Sequence, residues 1–190
     1  MSTAESLQTQ WLEGVRLVKA CNYEQAFYKF KAIVDKDPNC APALAGMANV
    51  YYETYQRRKA WEYAQKAVGL LPRNSFTLGL ALQCALSLGK FDEAKQYAKK
   101  AYKLAPKSAD GIKSYLLYLQ HTGDVSKVER LARELLAVDK SVLTRIAAGG
   151  ALQTIGRIPE AIRVYRNGIA DVLATNSPPP HSHIKGGKCS

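Results

Sequence analysis

The chain has 190 residues, long enough to bury a continuous apolar core. Hydrophobic residues make up 47% and charged residues 23%, a profile that excludes disordered and fibrous classes. Against 16 acidic residues stand 27 lysines and arginines, so the net charge of +11 favours acidic partners, and no apolar run reaches the ~18 residues of a membrane span.

The first residues, M-S-T-A-E-S-L-Q-T-Q, lack the basic and apolar regions of a secretory signal, and Glu5 without arginine is a poor mitochondrial leader. Residues 1–6 read as an N-terminal extension. From residue 7 the chain reads as five successive units, 7–40, 41–74, 75–108, 109–141 and 142–174. The first contains W-L-E-G-V-R-L-V, whose apolar residues fall three and four apart as on a helix, and carries Gly14, Ala26, Phe30 and Pro38. The second carries Leu44, Tyr51, Ala60, Ala67 and Pro72, and the third Ala81, Gly89, Ala94, Ala101 and Pro106. The fourth keeps Gly123, Ala132 and Leu135 but has Val128 in the alanine slot and Lys140 in the proline slot. The fifth comes one residue early, with Gly156, Ala161, Tyr165 and Gly168.

The prolines at 38, 72 and 106 recur every thirty-four residues, each twelve residues after an alanine. A fixed period of this length predicts stacked copies of one supersecondary unit. Each unit predicts two helices of about twelve to fourteen residues with a turn between them. Gly89 and Gly123 fall where the first helix ends, a place that asks for a left-handed residue. Asp92, Asp124 and Ser126 are the expected N-caps of second helices. Small Ala60 and Ala94 predict a close crossing within each pair.

On these residues the chain resembles the tetratricopeptide (TPR) family over roughly residues 7–174. The resemblance implies an all-α, right-handed α-solenoid of about five helix–turn–helix hairpins. It also implies that first helices line a concave groove and second helices a convex face. The groove strip then comprises Trp11, Val15 and Lys19; Ala45, Asn49, Tyr52 and Glu53; Phe76, Gly79, Gln83 and Leu86; Lys113, Leu117 and Gln120; and Ile146, Gly150 and Gln153. Gly46, Gly79 and Gly150 are expected to let a ligand backbone approach the groove floor. One subset of the family grips the acidic carboxyl terminus of heat-shock chaperones with lysine, asparagine and arginine. Here those slots hold Trp11, Val15, Gly46, Phe76 and Gly79, so that clamp is absent and an apolar helical or extended peptide fits better.

The bases concentrate on second helices. Arg57, Arg58, Lys95, Lys99, Lys103, Arg130 and Arg133 predict a basic convex surface, with Lys95, Lys99 and Lys103 four apart on one helix face. Such a face suits an acidic protein or RNA within a larger particle. Tyr51, Tyr102 and Tyr115 fall in core slots rather than in a base-stacking array.

From 175 the chain reads as a flexible proline-rich tail, with Pro178, Pro179 and Pro180 against helix formation. His181, His183 and Cys189 lack a fourth ligand at a metal-site spacing. Cys21, Cys40, Cys84 and Cys189 are scattered, which fits reduced thiols and a cytoplasmic location. No nucleophile motif, phosphate loop or metalloprotease motif is present, so neither catalysis nor a cofactor or metal is expected. The resulting expectation is a non-catalytic adaptor or scaffold that binds a partner segment in its groove within a multiprotein complex. The alternative is a basic structural subunit of a ribonucleoprotein particle.

Overall fold

The computed structural model describes residues 3–121 and 123–176. Ten helices and no strand lie among them: α1 (Thr3–Lys19), α2 (Tyr23–Lys36), α3 (Ala41–Glu53), α4 (Arg57–Leu70), α5 (Ser75–Ser87), α6 (Phe91–Leu104), α7 (Ala109–Gln120), α8 (Val125–Val138), α9 (Val142–Thr154) and α10 (Ile158–Asn176). They pair into five hairpins, an all-α solenoid. Residues 3–6 of the expected extension already belong to α1, and α10 runs to Asn176. Residues 177–190 of the expected tail lie outside the described residues.

The five hairpin turns share one device. The residue at the same place in each unit has a left-handed backbone: Cys21 (φ 57°), Tyr55 (61°), Gly89 (71°), Gly123 (71°) and Gly156 (79°). Three units supply glycine, which has no Cβ to clash there, and two supply a side chain at a steric cost of about 1–2 kcal/mol. The expected caps are partly corrected. Asp124 is the N-cap of α8 and accepts from Lys127 N–H at 3.1 Å. Asp92 and Ser126 instead lie inside the first turns of α6 and α8, because those helices start two residues earlier than such caps would require.

Between units the chain needs a stop and a new cap. Asn74, Ser108 and Ser141 cap α5, α7 and α9 through their side chains. Pro38, Pro72 and Pro106 forbid continuation of α2, α4 and α6. At the fourth junction, where Lys140 replaces proline, Asp139 takes over. Its carboxylate accepts from Ser141 N–H at 2.9 Å, from Ser141 Oγ at 2.8 Å and from the hydroxyl of Thr144. Thr144 is fully buried. At the corresponding place in the third unit the buried Thr77 hydroxyl reaches the Leu71 and Asn74 carbonyls, both at 3.0 Å. The fifth unit has Leu173 where the repeat proline is due, and α10 runs 19 residues where α8 runs 14.

Packing follows the small residues. Ala26, Ala60 and Ala94 are fully buried where the helices of a hairpin cross. Phe30 needs two glycines: a Cβ on Gly14 falls 2.7 Å from its Cε1, and one on Gly46 falls 2.6 Å from its ring. Each even-numbered helix from α2 to α8 packs on its own partner and on the next odd-numbered helix. Odd helices also touch one another in series, α1 with α3 through α7 with α9, whereas among the described residues successive even helices do not. Elements crowd on the inside of a bend and spread on the outside, so the odd helices line the concave face. One continuous core runs from α3 to α10, and a second centred on Phe30 joins α1 to α3.

The crossings and the fourth junction can each be tested by substitution. Ala60→Leu or Ala94→Leu overpacks a closed crossing and is expected to cost about 1–3 kcal/mol in urea denaturation. The hydrogen bonds from Thr144 and Ser141 lower the Asp139 pKa from 3.8 to about 2. A depressed carboxylate stabilises the fold above its unfolded pKa and loses that effect as pH falls through the folded value. Asp139→Ala is therefore expected to lower the urea midpoint at neutral pH. The gap to the parent should close between pH 3.8 and about 2.

Candidate protein-binding groove

On the concave face α3, α5 and α7 converge on a cleft of about 290 Å³. Its walls include Asn49, Phe76, Gly79, Gln83 and Lys113 from the sequence-derived strip, so five of those residues meet in one place. Ser75, Leu80, Asp110 and Ser114 complete it. The strip begins at Phe76 in α5 and at Lys113 in α7, which leaves out Ser75 and Asp110 in the first turns of those helices. Leu80 and Ser114 come in from the shared side of the two helices.

The chemistry of the cleft is mixed and close to neutral. Phe76 is 60% exposed, a large ring with one face open. Lys113 Nζ pairs with Asp110 Oδ1 at 3.2 Å across one helical turn, which cancels the charge in the wall. Asn49 is half-buried and Gln83 exposed, each able to donate and accept hydrogen bonds from its amide. The floor is open at Gly79, where a Cβ would sit 3.7 Å from Ser114 Oγ, an ordinary contact.

The other predicted residues lie around this centre. Trp11 sits toward the α1 end, its Nε1 3.4 Å from the Pro42 carbonyl, in a separate cleft with Leu7, Ile33 and Cys40. Val15 is half-buried against the Phe30 cluster, and Lys19 is exposed at the end of α1. Tyr52 is half-buried beside Arg57, and Glu53 is exposed. Leu86 and Leu117 are half-buried against the main core, and Gln120 is half-buried near the end of α7. Toward α10, Ile146 and Gln153 are exposed, and Gln153 Oε1 accepts from the Tyr165 hydroxyl at 3.4 Å. Gly150 is half-exposed.

Three expectations are corrected. Ala45 is 1% exposed and belongs to the core. Gly46 is buried and meets Phe30 of the preceding hairpin, so its missing side chain serves packing and not a groove floor. Arg57 is not a free convex charge: it is half-buried, its guanidinium 5.9 Å from the Tyr52 ring and 5.6 Å from that of Tyr55. Arg58, Lys95, Lys99, Lys103, Arg130 and Arg133 are exposed on even-numbered helices. Glu129 pairs with Arg133 and, at 3.1 Å, with Arg157. Lys95, Lys99 and Lys103 have no ion pair among the described residues.

The described residues contain no cluster of three or more histidine, cysteine or acidic side chains able to hold a metal. Cys21, Cys40 and Cys84 are free thiols, and burial pushes Cys84 up to about 12. No described helix is long and apolar enough to cross a membrane. His181, His183 and Cys189 lie outside the described residues.

No protein-family model matches the chain, and no curated protein matches its sequence. Solved structures do match in shape. TTC0263, a thermophilic TPR protein of Thermus thermophilus, superposes with a TM-score of 0.80 at 20% identity, over 88% of this chain and 92% of that one. This is the tetratricopeptide-repeat fold. A MamA structure matches with a TM-score of 0.61 at 15% identity, over 95% of this chain and 100% of that one. YrrB, described as a TPR protein with an unusual peptide-binding site, matches with a TM-score of 0.56 at 16% identity, over 86% of this chain and 84% of that one. In TPR terms the cleft lies on the first helices of the second, third and fourth repeats.

Proposed function

We propose that the protein is a non-catalytic adaptor that holds a segment of a partner protein in the cleft between α3, α5 and α7, as part of a cytoplasmic multiprotein assembly. The observation that carries this reading is the convergence of Asn49, Phe76, Gln83 and the neutralised Lys113–Asp110 pair on an open floor at Gly79. The amides suit the alternating donors and acceptors of a peptide backbone. Phe76 offers an apolar anchor for one side chain of the segment. With the wall charges cancelled, neither a carboxylate terminus nor a phosphate is the main target, and burial of apolar surface is the main driving term. A peptide-binding site in the similarly shaped YrrB supports the reading by analogy of fold.

A second reading rests on Lys95, Lys99 and Lys103, three exposed cations on one face of α6. They suit an acidic protein or the phosphates of RNA, which would make the chain a basic subunit of a ribonucleoprotein particle.

Affinity purification with the intact chain, with and without nuclease, identifies the partner. Asn49→Glu, Gln83→Glu and Phe76→Asp, all in the cleft wall, are each expected to weaken its binding by tenfold or more, about 1.4 kcal/mol, while circular dichroism stays helical. Binding that survives all three places the interface elsewhere. Salt separates the two readings. Adaptor binding should change little on raising salt to about 0.2 M, while contacts to phosphate should collapse. Lys95→Glu, Lys99→Glu and Lys103→Glu combined should remove residual RNA binding and spare the peptide partner.

A further inference from the structure

The odd helices present matching positions to the concave face, one set per hairpin. The second residue of α3, α5, α7 and α9 is Pro42, Phe76, Asp110 and Leu143, and all four are exposed. Two of them are large and apolar: Phe76 is 60% exposed and Leu143 74%. Leu143 is the most exposed large aliphatic side chain among the described residues. One turn further along α9, Ile146 is 55% exposed at the place held by Gly79 in α5 and Lys113 in α7. A lone exposed leucine is ordinary on a protein surface. This one stands in the same row as Phe76, with Ile146 beside it. Between the two apolar stations lies α7, whose Asp110 and Lys113 pair with each other at 3.2 Å.

The helix spacing fixes how far apart the stations are. α5 touches α7, and α7 touches α9. Packed neighbours lie about 8–10 Å apart, so Phe76 and Leu143 stand ~16–20 Å from each other across the groove. An extended chain rises about 3.3 Å per residue and covers that span in roughly five or six residues. A helix rises about 1.5 Å per residue and needs roughly twelve. The amides of Asn49 and Gln83 favour the extended form. They can bond the N–H and C=O groups of an extended backbone, whereas a helix has already bonded its own.

We propose that the segment held in the concave groove is an extended chain with two apolar side chains about five or six residues apart, one seated on Phe76 and the other on Leu143 and Ile146. Uncharged polar residues join them. The middle is polar because it crosses the Asp110–Lys113 pair, whose polar atoms lose water if apolar groups cover them. It is uncharged because a charge there meets both signs within one helical turn and gains little. The cleft at Gly79 is then one end of a longer site that reaches α9. This inference rests on the adaptor reading and specifies its ligand.

The test uses the intact chain and a panel of synthetic peptides of about 16 residues, built from serine, threonine and asparagine with two leucines about three, six or twelve residues apart. A control has one leucine. Binding is followed by fluorescence anisotropy at about 0.15 M salt, which screens stray attraction to the +11 body. The peptide with leucines about six apart is expected to bind about tenfold or more tightly than the others and than the control. Leu143→Gln combined with Ile146→Gln should bring it down to the level of the control while scarcely moving the melting curve, because both side chains are exposed. Phe76→Gln should do the same. Strongest binding at the twelve-residue spacing gives the groove to a helix and overturns the proposal. Affinity that ignores the spacing overturns it as well. Loss with Phe76→Gln and not with the α9 pair keeps the cleft as the whole site, so the adaptor reading stands and the two-anchor ligand falls. Binding indifferent to Phe76→Gln, Gln83→Glu and the α9 pair lies off the concave face, and both readings fall. No binding by any peptide of the panel overturns the two-anchor ligand alone, since the adaptor reading is tested on the purified partner.

Discussion

Each second helix from α2 to α8 is covered on two sides, by its own partner and by the first helix of the next hairpin. A lone hairpin cannot provide that cover, because two helices of about fourteen residues leave one flank of each open to water. The fully buried alanines at the crossings, the capped junctions and the close approach of Gly14 and Gly46 to Phe30 all serve this contact. The same requirement brings the odd helices side by side on the inside of the bend. The cleft at Asn49, Phe76 and Gln83 is a by-product of that alignment: three helices held side by side, with Gly79 on the floor between them.

Much of this was legible in the sequence because the pattern repeats. The phase of Pro38, Pro72 and Pro106 with Ala26, Ala60 and Ala94 set the number of hairpins and which helix of each is which. Gly89 and Gly123 marked the left-handed turns correctly. Cys21 and Tyr55 occupy the same conformation without announcing it, since neither residue type signals a positive φ. Asp139 was hidden for a related reason: it ends α8 by side-chain hydrogen bonds to residues up to five positions ahead, where proline does so by itself. Asp92 and Ser126 were misplaced as caps because a short polar residue inside the first turn looks much like one just before it.

The candidate site was legible in part. Counting within one unit put Asn49, Phe76, Gln83 and Lys113 on a common face, and they do meet. It failed at Gly46 and Ala45, whose surroundings come from the neighbouring hairpin and from the bend between units. It failed at Arg57 because nothing in the local pattern foretold that Tyr52 and Tyr55 would draw the guanidinium aside. The charge pattern needed the structure as well. Glu129 holds two of the arginines, which shifts the open positive potential toward the lysines of α6.

Contacts confined to neighbours also have a mechanical meaning. No strut among the described residues ties the first hairpin to the last, so the bend of the array is a sum of small rotations at four junctions. Such a body flexes as a spring does, with its compliance spread along its length. A ligand lying across α3, α5 and α7 bridges two of those junctions at once. It would therefore grip by fixing a curvature, that of the two junctions it spans, and leave the other two free to flex.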